Sequence, residues 1–203
     1  MTASRIVVWR HGQTDWNVQL RFQGHADIPL NEVGRAQVAA AAPAIAALRP
    51  DVIISSDLSR ARETAGALAA LTGQPVATDP RLREIAVGTW EGRTLAEIAE
   101  EEPDFRDREM AGDDVRRSPT GETVTEVATR FAAALAEHAD ALADGQTLLV
   151  AAHGLAARVG SCAFLGMSGK DARLLRGMDN AGWLIMDRSG EGAWRMAAYN
   201  RVA

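Results

Sequence analysis

Three runs in this chain are apolar with almost no interruption, and each ends abruptly in polar residues. They are Ile6–Trp9 before Arg10-His11-Gly12, Asp51–Ser55 before Ser56-Asp57, and Thr147–Ala151 before Ala152-His153-Gly154. Four or five apolar residues without alternation mark strands buried on both faces, the pattern of a central parallel sheet. Elsewhere apolar positions recur every three or four residues. Val38, Ala41, Ile45 and Leu48 predict a helix over Gly34–Leu48, capped by Asn31 and stopped by Arg49-Pro50. A second helix is predicted from a Ser56 or Asp57 cap through Leu71, closed by Gly73. The longest spans Glu122–Ala143, with Val124, Val127, Phe131, Leu135 and Leu142 inward and Gly145 at its end. A helix from Leu155 to about Leu165, a short edge strand at Pro75-Val76-Ala77, and two late strands at Asp179–Asp187 and Trp194–Asn200 complete the pattern.

Strands alternating with helices predict an α/β fold with helices on both faces of a mainly parallel sheet. Right-handed crossovers then bring the ends of the first three strands, at Arg10, Ser55 and Ala152, to one sheet edge, where open α/β sheets bind ligands. Two stretches lack periodicity. Gly12–Leu30 reads as a long surface loop, and long loops in compact domains tend to carry function. Asp79–Gly121 reads as irregular, with a turn at Trp90-Glu91-Gly92, a short helix over Leu95–Glu101 and a polar segment, Pro103–Pro119, holding Arg106, Arg108, Arg116 and Arg117. Residues 90–120 are expected to form an excursion from the sheet, a candidate lid on an otherwise single domain over 1–203.

Composition narrows the partners. At 203 residues and 47% hydrophobic, the chain suits one ordinary globular core. A formal charge of -5 argues against nucleic acid or an anionic membrane as a partner. The lone cysteine, Cys162, excludes an intramolecular disulfide and a Cys-built metal site, and reads as a small buried hydrophobe. No apolar run reaches the roughly 18–20 residues of a membrane span, and the N-terminus lacks a signal-peptide core, so the cytoplasm is the expected location. A homodimer stays open.

The converging strand ends would hold two imidazoles, His11 and His153, and two guanidiniums, Arg10 and Arg60. No metal-ligand spacing accompanies the histidines, and Arg10 beside His11 would repel a divalent cation, so neither a metal nor another cofactor is expected. A dianionic phosphate fits better: arginine presents forked donors that match its oxygens and keeps its charge. Helices starting after Ser55 and His153 are expected to aim free N–H groups at the same anion, and Gly12 and Gly154 to let the backbone approach it. Surrounding positive charge keeps His11 neutral, and a neutral imidazole is a competent nucleophile toward phosphorus. Departure of an alkoxide also needs a proton donor, for which Glu84 is the best placed carboxyl.

RHGQTDWN, SSDLSRARETA, LREIAVGTWEG and VAAHG, in this order and spacing, resemble the histidine phosphatase (phosphoglycerate mutase-like) superfamily over roughly Ile6 to Asn200. The resemblance implies a three-layer α/β/α sandwich with a mixed sheet, and phosphoester hydrolysis through a phosphohistidine at His11. It implies that Arg10, Arg60 and His153 bind the transferring phosphoryl group, and that Glu84 is proton donor and then base. Asn17, Gln23 and Gly24 match positions that touch phosphate or substrate. Gln13, Leu155-Ala156-Ala157 and the short chain depart from the mutase pattern and favour a phosphatase acting on a small-molecule phosphate ester; Arg116 and Arg117 keep a mutase alive, and a non-catalytic phosphoester binder is a further alternative. A weaker resemblance, through SSDLSRARETA and Gly177–Trp183, to actinobacterial glucosyl-3-phosphoglycerate phosphatases suggests a sugar or glycerate phosphate. Outside the site, His25 and His138 are expected to be exposed, Arg62 structural or solvated, Trp9, Trp183 and Trp194 packed. Trp16 and Trp90 flank the motifs and are left as either core or pocket wall.

Overall fold

The computed structural model describes residues 2–203. Six strands are β1 (Arg5–Arg10), β2 (Val52–Ser55), β3 (Val76–Thr78), β4 (Thr147–Ala152), β5 (Trp183–Arg188) and β6 (Trp194–Arg201). Eight helices are α1 (Asp15–Val18), α2 (Glu32–Ala46), α3 (Ser59–Thr72), α4 (Leu95–Ala99), α5 (Phe105–Ala111), α6 (Val124–Asp140), α7 (Gly154–Phe164) and α8 (Gly169–Ala172). The sheet runs β3-β2-β4-β1-β5-β6. Its first four strands are parallel, and β5 and β6 return antiparallel, which makes it the mixed sheet of a three-layer sandwich. None of the helices is long and apolar enough to cross a membrane.

The unbroken apolar runs follow from burial on both sides. Ile6 and Val8 of β1 join Leu148, Val150 and Leu184 in one apolar cluster under α6 and α7. Val7 and Trp9 join Ile53, Leu149 and Ile185 in the other, under α2 and α3. Each strand residue therefore meets a helix layer whichever way its side chain points, and alternation is lost. Register aligns Arg10 with Ala152 and Ser55 with Ala151, so the carboxyl ends of β1, β2 and β4 lie side by side at one edge.

Residues 79–123 leave the sheet between β3 and α6. Trp90, Ile98, Phe105 and Val115 from this stretch are buried in the same cluster as Val8 and Val150. Trp90 is core: its ring meets Phe105 edge-on at 4.8 Å, and the Arg117 guanidinium lies 4.7 Å from the Phe105 centroid. Trp16 instead packs its ring over Gly92.

Several local expectations change. The cap of α3 is neither Ser56 nor Asp57 but Leu58, which has no side-chain cap bond. Asp57 is held in a two-pronged pair with Arg83, and the Ser59 N–H is met from across the loop by the Asp27 carboxylate at 2.6 Å. A tertiary arginine outcompetes the local backbone for Asp57. The segment Asp179–Gly182 is a turn before β5 rather than part of it. His138 is partly covered and bonds the Asp79 carboxylate at 2.9 Å, and His25 is half-buried, its Nε2 2.9 Å from the Glu84 carbonyl.

Candidate active site

At the carboxyl edge of the sheet lies a cavity of about 220 Å³ lined by Arg10, His11, Asn17, Gln23, Arg60 and Glu84, among others. His11 continues the β1 ladder through its N–H to the Ala152 carbonyl at 3.0 Å, which fixes the residue at the strand end. Its Nδ1 is 2.6 Å from the Gly12 carbonyl. A carbonyl only accepts, so Nδ1 carries the proton and Nε2 keeps its lone pair. His11 is 3% exposed, and burial with the flanking cations Arg60 and Arg10 holds its pKa well below the ordinary histidine value. The lone pair is therefore available at neutral pH.

Arg60 is completely buried. Its Nε donates to His153 Nδ1 at 3.2 Å, and Nη1 and Nη2 donate to the carbonyls of Ala26 and Gly24 at 2.8 and 2.9 Å. Burial lowers its pKa to about 10, still fully charged at neutral pH. Arg10 donates through Nη1 to the Met178 carbonyl, while its buried Nε has no partner. Neither guanidinium has a carboxylate within ion-pair distance among the described residues. Buried cations left this way are costly, and the cavity is electrically incomplete until an anion enters.

Glu84 sits on the first turn of α7. Its Oε1 accepts the N–H groups of Ile85 and Ala156, both at 2.9 Å, and Oε2 accepts that of Leu155 at 3.1 Å. Two bonds use both lone pairs of Oε1, so the lone pair left on Oε2 is where a transferable proton can reside. The segment carrying Glu84 is itself clamped. Arg130 of α6 donates to the carbonyls of Arg81, Arg83 and Glu84 at 2.6–2.8 Å and pairs with Glu122, which in turn accepts the Ala86 N–H.

Of the helix N–H groups expected to face the anion, those of Leu155 and Ala156 in α7 are taken by Glu84, and those of Leu58 and Ser59 by Ser56 Oγ and Asp27. The glycines also serve other ends. A Cβ on Gly12 would stand 2.4 Å from the Gly34 carbonyl, where the site loop crosses α2, and one on Gly154 would stand 3.1 Å from Arg10 Nε. Gly154 thus leaves room for the arginine, and Gly12 for a helix.

His153 is fully buried behind the cavity wall, its ring 5.2 Å from that of His11. With Nδ1 accepting from Arg60, its Nε2 bears the proton and lies 2.8 Å from Ser56 Oγ. It reaches a phosphoryl oxygen only by giving up Ser56. Asn17 accepts with Oδ1 from Thr14 and Asn180, which leaves its amide N–H₂ free. Gln23 lines the cavity with a buried, unpartnered Oε1, and Gly24 contributes its carbonyl to Arg60. Arg62 is exposed, as expected. Sequence reasoning missed Arg21 and Phe22 at the mouth, Arg130, and the Met178–Gly182 turn. That turn holds the nucleophile's backbone: the Ala181 N–H donates to the His11 carbonyl and Arg10 N–H to the Gly182 carbonyl. Its only signal in the sequence was the resemblance carried by Gly177–Trp183.

The two buried histidines give the fold an acid weakness. His153 is also held well below the usual range, by burial and then by Arg60. In the unfolded chain both protonate near 6.5. Their contribution to stability is present above that pH. It falls by up to about 1.4 kcal/mol per pH unit for each imidazole as the medium is acidified toward the folded values. The thermal midpoint should therefore drop more steeply between about pH 7 and 5 in the native protein than in His11→Gln; parallel curves would contradict the assignment.

One histidine and two arginines around a neutral imidazole, on the carboxyl edge of a mixed α/β sandwich, define a phosphate-ester site. Residues 6–202 match the model of the histidine phosphatase superfamily, branch 1. The chain is 39% identical to the glucosyl-3-phosphoglycerate phosphatase of Mycobacterium tuberculosis, covering 100% of this chain and 97% of that one. It is 37% identical to a probable phosphoglycerate mutase of Yersinia pestis, over 85% of this chain and 80% of that one. A solved mycobacterial glucosyl-3-phosphoglycerate phosphatase in complex with VO3 superimposes with a TM-score of 0.88 at 36% identity, covering 97% and 98% of the two chains. The chain belongs to the histidine phosphatase superfamily, and it is a phosphomonoester hydrolase.

Proposed function

We propose that this hydrolase works through a phosphohistidine at His11 and that its substrate is glucosyl-3-phosphoglycerate, the compound for which the mycobacterial relatives are named. The observation that carries the reading is His11 itself, a neutral nucleophile held by the Gly12 carbonyl between two cations that lack counter-ions. Nε2 attacks phosphorus as the ester P–O bond breaks, and Arg10, Arg60 and the Asn17 amide neutralise the equatorial oxygens. Glu84 gives its proton to the departing alkoxide. It then takes one from the water that attacks phosphohistidine, and inorganic phosphate leaves. No step in this scheme needs a metal ion. His153 acts through Arg60, whose Nε it receives, and lends its Nε2–H when Ser56 is released.

The arginines that kept a mutase alive have other work. Arg117 is buried and bound to Glu109, and Arg116 is paired with Glu126 and the Gly121 carbonyl. Neither lines the catalytic cavity, which favours hydrolysis over retention of a bisphosphate. We also propose that residues 90–120 serve as a fixed cap, sewn into the core by Trp90, Ile98 and Phe105, and that the enzyme acts in the cytoplasm, where phosphorylated metabolites are found. The test is phosphate release from glucosyl-3-phosphoglycerate, simpler sugar phosphates and both phosphoglycerates, with interconversion of the phosphoglycerates followed in parallel. Highest kcat/KM on the glucosylated ester is expected; interconversion outpacing phosphate release would move the chain to the mutase reading.

A further inference from the structure

A second cavity, about 260 Å³, adjoins the catalytic one between α5, α6, α7 and α8, and Leu155 borders both. From Leu155 it follows α7 to Arg158 and Val159, about one helical turn or 5 Å further on. Its floor is apolar, built by Val124, Val159 and Ala172. Two guanidiniums face it. Arg158 is half-buried: Nη1 donates to the Leu175 carbonyl at 2.9 Å, and Nε is enclosed without a partner. Arg173, just past α8, is exposed, and its side chain has no hydrogen-bond or carboxylate partner among the described residues. The one acid in the wall, Glu109, is already bound to the buried Arg117. Lys170 lies close by, against Gly112. The cavity therefore carries surplus positive charge over an apolar floor, as the phosphate pocket carries it beside Glu84.

We propose that this cavity is a subsite for a carboxylate on the leaving group of the substrate, held by Arg158 and Arg173. The inference rests on the hydrolase reading and names the class of ester it prefers: one with an acid group a few bonds from the phosphoester. Guanidinium forks match carboxylates as they match phosphates, and a half-buried arginine whose enclosed Nε–H has no partner gains most from an acceptor at its fork. Arg116 and Arg117, the arginines that kept a mutase alive, are engaged elsewhere. The leaving group would cross Leu155, with phosphorus at His11 and its acid group over the first turns of α7.

The test is equilibrium binding, which does not depend on turnover. The His11→Ala protein is titrated calorimetrically with 3-phosphoglycerate and with glycerol 3-phosphate, which carries a hydroxymethyl in place of the carboxylate. A preference of about 10- to 100-fold for the acid is expected, the size of one charge-assisted hydrogen bond. Adding Arg173→Ala or Arg158→Met should reduce it at least about fivefold while glycerol 3-phosphate binding stays. Arg173 is exposed, so its loss leaves the fold intact even if Arg158→Met does not. Equal affinity for the two esters, a preference that survives both substitutions, or no binding of either would overturn the subsite. The hydrolase reading stands or falls separately, on phosphate release by the native enzyme.

Discussion

Replacing His11 with alanine is expected to abolish turnover of every phosphomonoester, with kcat down by on the order of 10⁴–10⁶, the usual loss of a covalent nucleophile. The size follows from the route. Without Nε2 there is no covalent intermediate, and water would have to attack directly from the space the ring vacates. That water would have neither the ring's fixed aim nor its lone pair. The cation pocket of Arg10 and Arg60 stays in place, so binding of phosphate should persist while hydrolysis stops. The measurement is release of para-nitrophenol from its phosphate by native and variant protein, with acid-labile phosphate on the trapped enzyme as a second readout. Comparable rates, or trapped phosphate in the variant, would remove His11 from the mechanism.

Glu84→Gln should divide substrates by leaving group. For alkyl phosphates, whose alkoxide cannot depart unprotonated, kcat/KM, which reports formation of the phosphohistidine, is expected to fall by about 10²–10⁴. The turnover number kcat also falls for every substrate, because the base for the second step is lost. For para-nitrophenyl phosphate, whose phenolate departs readily, the loss of kcat/KM should be within about tenfold. Glutamine also disturbs the seat on α7. Both carboxylate oxygens accept backbone N–H groups, so the new amide N–H₂ must face either Leu155 or Ala156 as donor against donor. That conflict costs about 1–3 kcal/mol of stability, which thermal unfolding measures separately. A uniform loss of kcat/KM across leaving groups, at an unchanged dependence on alcohol pKa, would show that Glu84 holds the helix rather than the proton.

Much of this site was legible before any coordinates because its parts sit at strand ends, and strand ends are set by long-range pattern. Arg10, His11 and His153 follow unbroken apolar runs, Arg60 lies in the first turn of a helix after such a run, and the right-handed crossover brings them together. What escaped was side-chain partnership across the chain. Asp57 looks like a cap until Arg83 claims it, and His25 looks solvated until the Glu84 carbonyl meets it. The N–H groups of Leu155 and Ala156 look free for an anion until Glu84 occupies them. Arg130 looks like any helix-face arginine, yet it clamps three carbonyls of the loop that carries the acid. Such choices are made between residues dozens of positions apart, and no local periodicity records them.

The pairing of β1 also sets an order in time. Its two neighbours are β4 and β5, so Trp9 finds its partners only at Ala151 and Trp183. The carbonyl of His11 is held by Asn180, 169 residues downstream. On a ribosome the nucleophile emerges 169 residues ahead of Asn180, yet nothing made soon afterwards can fix it. At about 5–20 residues per second it waits on the order of ten to thirty seconds for the strands that complete its seat. Until β4 is made this apolar strand has no partner on either side, until β5 it has only one, and contacts of such long reach close slowly. Catalytic competence is thus among the last properties this chain acquires, and the interval before it is when the newborn protein most needs shelter from its neighbours.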